Sequence, residues 1–241
     1  MIEFLAGLSY IKQGLLLLIK PGVRGYVVIP LLINTLIFTL IIIFGAGQFN
    51  NLIELITDRW AWLEWIRWLL WPLFLLICLT IVFFCFSLAT NLLCSPFNGF
   101  LSEAVQRVLT GQSPAASAGG GGLLAEMRQS MKSELLKLRY FMLRAILLLL
   151  LFLVPVLQVA APAIWFIFAS WMLSLEFLDF PMSNNGIAFP EARPILRRHR
   201  ALVLGFGAGL TLFAMVPVIN FITIPVAVAG ATRLWIDRIK G

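Results

Sequence analysis

The chain has 241 residues, is 61% apolar with a mean hydropathy of +0.98, and carries a formal charge of +7 from 18 Lys and Arg against 11 Asp and Glu. An apolar excess of this size excludes an ordinary soluble domain and points to an integral membrane protein, so the positive charge reads as a topology signal and no nucleic-acid partner is expected. Cys78, Cys85 and Cys94 share one apolar run, with no CxxC and no histidine nearby, so they read as buried thiols; neither a metal nor a cofactor is expected.

In chain order, residues 3–19 place Phe4, Leu8, Ile11, Leu15 and Leu18 on one helical face, a spacing that suits an amphipathic helix lying in the membrane interface. Lys12 and Lys20 interrupt and follow its apolar part, unlike the charges of a cleavable signal. Pro21-Gly22 ends the segment. No charge occurs from Gly25 to Ile53, so 26–48 is expected to cross the bilayer, with Pro30 in the first turns where it disturbs least. Residues 51–71 hold five of the eight tryptophans among mixed charges, and 51–68 is predicted to be a periplasmic interfacial segment. Residues 69–100 are again free of charge and allow a second span with an extension through Asn91, Pro96, Asn98 and Gly99. The stretch 111–122, GQSPAASAGGGG, reads as a flexible linker. Over 123–144, Met127, Met131, Leu135, Leu138 and Met142 recur at helical spacing while Arg128, Lys132, Lys137 and Arg139 face other ways, which predicts an amphipathic basic helix.

Residues 145–175 and 201–232 contain no ionisable side chain, and each is broken near its middle by proline, at Pro155 and Pro162 in the first and at Pro217 and Pro225 in the second. A run of 31 or 32 residues is too long for one span of about 20 and too short for two. Proline interruption divides each run into half-helices of about 12 residues, about 18 Å long. Two re-entrant hairpins, entering and leaving on the same side, satisfy these lengths; two long, kinked, tilted spans are the alternative. Charge favours the hairpins. Of the 18 Lys and Arg only Arg59 and Arg67 fall between the two full spans, which puts both termini, residues 103–144 and residues 193–200 in the cytoplasm. A single crossing by 145–175 would strand Arg193, Arg197, Arg198 and Arg200 outside. The expected fold class is therefore an all-α integral membrane protein with two full transmembrane helices, two partially penetrating hairpins and amphipathic interfacial helices.

An enzyme is not expected: His199, the only histidine, sits in a basic run, and there is no HExxH, GxSxG or phosphate-binding glycine loop. The apolar runs carry amides and hydroxyls, among them Asn34, Asn91, Asn98, Gln158 and Asn220, but no carboxylates, with Glu176 and Asp179 only at an edge. Proton-coupled pumping generally uses intramembrane carboxylates, so channel-like conduction is favoured, the amides being either pore-lining groups or bonds between packed helices. Half-helix N-termini suit an anion. The best anion site in the linear sequence is Gly22, Val23, Arg24 and Gly25. Glycines let the backbone close around a ligand, N–H groups converge at the following helix, and Arg24 adds a planar donor fork. An arginine snorkelling to lipid headgroups is the other reading.

Several motifs, taken together in order, resemble one family: Gly14-Leu15 before Pro21-Gly22-Val23-Arg24, Pro30 and Asn34; Ser95-Pro96-Phe97-Asn98-Gly99; Asp179-Phe180-Pro181; Leu204-Gly205-Phe206-Gly207; and Pro217 to Asn220 with Pro225 and Ala229-Gly230-Ala231-Thr232. The chain resembles the CysZ-type sulfate permeases of the bacterial inner membrane along most of its length. The resemblance implies sulfate uptake into the cytoplasm for cysteine synthesis, an oligomer in the lipid bilayer, and oxyanion binding at Gly22, Val23, Arg24 and Gly25. Val23 stands where the family commonly has leucine, and the glycine run at 119–122 has no counterpart in it. A proton-coupled anion transporter and a non-transporting membrane scaffold are the competing functions.

Overall fold

Helix is the only regular structure among the described residues of the computed structural model, which are 1–59, 69, 72–76, 80, 97–114, 123–152 and 158–240. The expected all-α class is what the structure shows. The chain folds as two units, one formed by Tyr26–Phe97 and the other by Met1–Gly25 with Asn98–Gly241.

The smaller unit holds most of α2 (Gly25–Arg59), 35 residues or about 52 Å of helix. Pro30 does not break it. Phe49 stacks on Phe74 with ring centroids 4.0 Å apart, so the chain around residues 72–76 returns beside the C-terminal half of α2. Ile29, Leu32, Leu36, Leu40 and Ile43 stand more than half exposed along α2. Much of the second predicted span, 69–100, the tryptophans from Trp60 to Trp68, and the glycine run of the linker lie outside the described residues.

The larger unit is built around α7 (Arg200–Ala214), which packs on α1 (Ile2–Leu18), α5 (Ala161–Asn184) and α8 (Pro217–Leu234). Glycine is what lets α7 sit in the middle. A Cβ on Gly205 would run into the Phe4 carbonyl of α1, and one on Gly209 into Leu8 and Ile11 of the same helix. On the other side, a Cβ on Gly207 would strike the Ser170 carbonyl and Ser174 of α5. Residues two apart point about 200° apart on a helix, so G-x-G-x-G opens both faces of α7 to near-backbone contact. From α1, a Cβ on Gly7 would come within 2.7 Å of the Phe206 nitrogen, and one on Gly14 within 2.8 Å of the Gly230 nitrogen in α8. Ser174 Oγ donates to the Val203 carbonyl at 2.6 Å, and Ser170 and Thr211 pair at 3.3 Å.

The first helix packs on its neighbours with a face that its apolar periodicity did not single out. Gly7, Tyr10, Gly14 and Leu17 are buried, while Phe4 and Leu15 are more than a third exposed. Gly7 and Gly14 bring the backbones close, because close helix approach needs a surface without side chains, and Tyr10 and Leu17 are buried on the same side.

Two helical returns follow the linker. The first joins α4 (Leu123–Leu151) to α5, which run antiparallel: Lys137 meets Asp179, and Phe141 stacks on Phe168 at 5.6 Å. The arms are longer than the predicted half-helices. No break separates 144 from 145, and Pro162 sits in the first turn of α5, a position that starts a helix. At 24 residues α5 is long and apolar enough to cross a membrane. The facing of α4 also differs from expectation: Leu135, Leu138 and Met142 of the predicted apolar stripe are exposed, and Lys137, Tyr140 and Ala145 are buried, because the partner groups on α5 are charged and aromatic. The second return joins α7 to α8 through Met215 and Val216. Each tip exposes an apolar side chain, Val159 at 89% and Met215 at 70%, whereas Val226, Val228 and Leu234 in the far half of α8 are fully buried.

Between the returns, Gly186 at φ 79° closes α5, its N–H donating to Ser183, and the amphipathic α6 (Phe189–Arg198) buries Phe189, Ala192 and Leu196. The helix α3, residues 97–110, is held by a buried pair of Ser102 and Thr232 at 2.9 Å.

Candidate functional site

The turn at residues 21–25 follows α1 directly. The Lys20 N–H donates to the Leu17 carbonyl at 3.1 Å, and the N–H groups of Val23 and Arg24 both donate back to the Lys20 carbonyl at 3.1 and 3.3 Å. Gly22 has φ 90°, a region costly for any residue with a Cβ, and a side chain there would also press on Val108 of α3 at 3.4 Å. Val23 is completely buried and anchors the turn, and the neighbouring Arg24 is exposed. Gly25 is the first residue of α2, so its N–H has no partner within that helix.

The geometry modifies the expected chemistry. Val23 and Arg24 do not offer their N–H groups to a ligand, since Lys20 takes both. The donors that remain are the five N–H bonds of the Arg24 guanidinium and the N–H of Gly25 at a helix N-terminus, which together suit a tetrahedral oxyanion. No ion pair to Arg24 is formed among the described residues.

Of the five amides, the three in the larger unit lie on different elements. Gln158 lies at the tip of the first return, where its Nε2 donates at 2.8 Å to the Phe152 carbonyl and so closes the end of α4. Asn98 is half-buried at the start of α3, and Asn220 lies in the first turn of α8. Asn34 lies on α2, and Asn91 falls outside the described residues. No described hydrogen bond joins Asn98 to Gln158.

Other polar groups, which sequence periodicity did not reveal, are brought together instead. Lys137 is buried, 2.8 Å from Asp179 and 3.9 Å from Glu176, with Glu134 beside it on its own helix. Burial works against its charge, but the opposing carboxylates of Asp179 and Glu176 outweigh it and hold the Lys137 pKa above its ordinary value. A second knot pairs Gln106 of α3 with Asn185 by reciprocal amide bonds of 3.3 and 2.9 Å, with Lys240 Nζ donating to the same Asn185 at 3.3 Å. Asn184 donates to the Gly99 carbonyl at 2.9 Å, which gives the Asn98-Gly99 motif a structural part. The only available signal was the presence of amides and charges beside otherwise apolar runs; which would meet depends on the return of α5 along α4.

Comparison with known proteins follows the same path along the chain. The family described as "Sulfate transporter CysZ/Etoposide-induced protein 2.4" matches residues 10–225. A protein named sulfate transporter CysZ from Pseudomonas paraeruginosa is 39% identical over 233 residues, covering 96% of this chain and 95% of its own. Its namesake from Pectobacterium atrosepticum is 38% identical over 237 residues, covering 98% and 86%, and one from Pseudomonas fluorescens is 35% identical over 233 residues, covering 96% and 93%. Similarity of this extent takes in the glycine turn, both helical returns and the central α7, and on it the chain belongs to the sulfate transporter CysZ and etoposide-induced protein 2.4 family.

Proposed function

We propose that this protein carries sulfate into the cytoplasm across the inner membrane of a bacterium, by channel-like passage, and so supplies sulfur for cysteine synthesis. The observation that carries the reading is its near full-length similarity to relatives named sulfate transporters. Two features of the molecule support it: the exposed Arg24 beside a glycine turn and helix start, and two helical returns that are free of charge over residues 145–175 and 201–232 and expose Val159 and Met215 near their tips. In this reading the returns enter the bilayer from the cytoplasmic side and turn back, both termini are cytoplasmic, and further copies of the chain complete the path. Gly22, Arg24 and Gly25 hold the anion, with Val23 fixing the turn. Asn34, Asn91, Asn98 and Asn220 remain candidates for the conduction path; Gln158 acts mainly as the closure of its hairpin.

Radiolabelled sulfate flux into liposomes containing the pure protein tests the reading, with sulfite, thiosulfate and molybdate as competitors. Arg24→Ala is expected to lower sulfate binding about tenfold or more, the loss of one charge-assisted bidentate contact, with uptake falling alongside. No flux from the unaltered protein sinks the proposal, and unchanged binding and uptake in Arg24→Ala removes the site. A coupled mechanism has one observation on its side, the buried Asp179 beside Lys137. It requires uptake to collapse when the pH gradient is abolished, whereas channel-like passage does not.

A further inference from the structure

A groove of about 630 Å³ runs between α4, α5 and the junction of α6 with α7, away from the glycine turn. Its two ends differ in chemistry. At one end stand Arg144, Arg197 and Arg200, and among the described residues no carboxylate lines it. Along the rest, Leu147, Ile164 and Ile167 form an apolar wall and are 64%, 36% and 56% exposed.

The direction of this gradient follows from the helices. On α4, Leu147 lies one turn beyond Arg144 toward the hairpin tip at Phe152. On α5, Ile167 and then Ile164 lie toward the same tip, Ile164 being about 10 Å of helical rise from Trp171. Arg197 and Arg200 belong to the opposite end, where α6 gives way to α7. Arg144 is held in place: its guanidinium stacks 3.5 Å above the Tyr140 ring and its Nη1 donates to the Tyr140 carbonyl at 3.3 Å. Arg193 covers the same ring at 4.4 Å, and Trp171 Nε1 donates to the Tyr140 hydroxyl at 3.2 Å. Among the described residues none of these four arginines forms an ion pair.

We propose that this groove binds one anionic glycerophospholipid, its phosphate on Arg144, Arg197 and Arg200 and an acyl chain along Leu147, Ile164 and Ile167. The inference rests on the membrane reading above. Unpaired arginines select a phosphate, and an apolar wall continuing away from them selects a molecule with a tail. A free inorganic oxyanion has no use for that wall. The same lipid would tie the base of the first return to the α6 and α7 junction.

Tryptophan quenching by brominated acyl chains gives a direct test, because Trp171 lines the groove. The full chain is reconstituted into vesicles doped with equal fractions of dibrominated phosphatidylglycerol or dibrominated phosphatidylcholine. The phosphatidylglycerol is expected to quench more strongly, and Trp171→Phe should remove that excess while leaving the quenching common to both lipids. Arg197→Gln with Arg200→Gln should lower the preference by about fivefold per arginine, with the helical circular dichroism unchanged. Equal quenching by the two lipids overturns the inference, as does a preference that survives both arginine substitutions or one abolished by millimolar sulfate. Sulfate flux measured in the same vesicles separates the readings: flux without lipid preference removes this site alone, preference without flux removes the transport proposal alone, and no quenching by either lipid removes both.

Discussion

Gly207 and Gly47 both lie in helices, yet an added methyl group has opposite consequences at the two. At Gly207 it meets the Ser170 carbonyl and Ser174, backbone and a bonded side chain that have nowhere to retreat; at Gly47 no described residue stands within 4 Å. Gly207→Ala is therefore expected to destabilise by about 1 to 3 kcal/mol, whereas Gly47→Ala should stabilise by about 0.5 to 1 kcal/mol through reduced chain entropy. Thermal unfolding in detergent distinguishes them, and equal effects would refute the account. Lys137 and Asp179 pose a related question in charge. Lys137→Met leaves the buried Asp179 carboxylate without a counter-ion and should cost about 3 kcal/mol or more, whereas Asp179→Leu leaves Lys137 with Glu134 and Glu176 and should cost about 2 kcal/mol. The double substitution should recover most of that loss. If it falls by the sum of the two, the pair is not the unit described. Sequence made the glycines of α7 visible as a motif but not their neighbours, and it showed Arg24 without showing that Lys20 captures the two following N–H groups. Those facts depend on a turn conformation and on helix contacts that no local pattern contains.

At the scale of elements, helix positions were largely legible and helix faces were not. Apolar periodicity located α1 and α4, but it does not say whether large apolar residues face protein or lipid. In α1 the packed face is Gly7, Tyr10, Gly14 and Leu17, and in α4 it includes a lysine. A lipid-facing helix inverts the usual rule, since its large apolar side chains need no protein cover. The two returns give the sharpest element-level test. After replacement of Cys78, Cys85 and Cys94, single cysteines at Val159, Met215 and Ser183 can be probed with an impermeant maleimide from either side of the membrane. The first two should resist labelling from both sides, and Ser183 should label only from the cytoplasm. Labelling of Val159→Cys or Met215→Cys from the periplasm would show a crossing in place of a return.

For the larger unit as a whole, polarity is sorted along one direction. Ser170 pairs with Thr211 and Ser174 with Val203, so α5 and α7 are antiparallel and their returns project toward the same end. Lys137 with Asp179 and the amide knot at Asn185 lie away from those tips. Such an arrangement was foreshadowed by charge-free runs, while the depth to which α4 and α5 extend was not, because Pro162 begins a helix there where a break was expected. Because Gly205 and Gly209 admit α1 and Gly207 admits α5, α7 touches main chain on two opposite sides. Hydrogen exchange should then find the amides of α1 and α7 opening in one kinetic class, and independent opening of α1 would count against it. A helix gripped on both flanks cannot swivel about its own axis without driving side chains into its neighbours' backbones. In the transport proposed above, any motion that admits an ion therefore carries α1, α5 and α7 together as a single block.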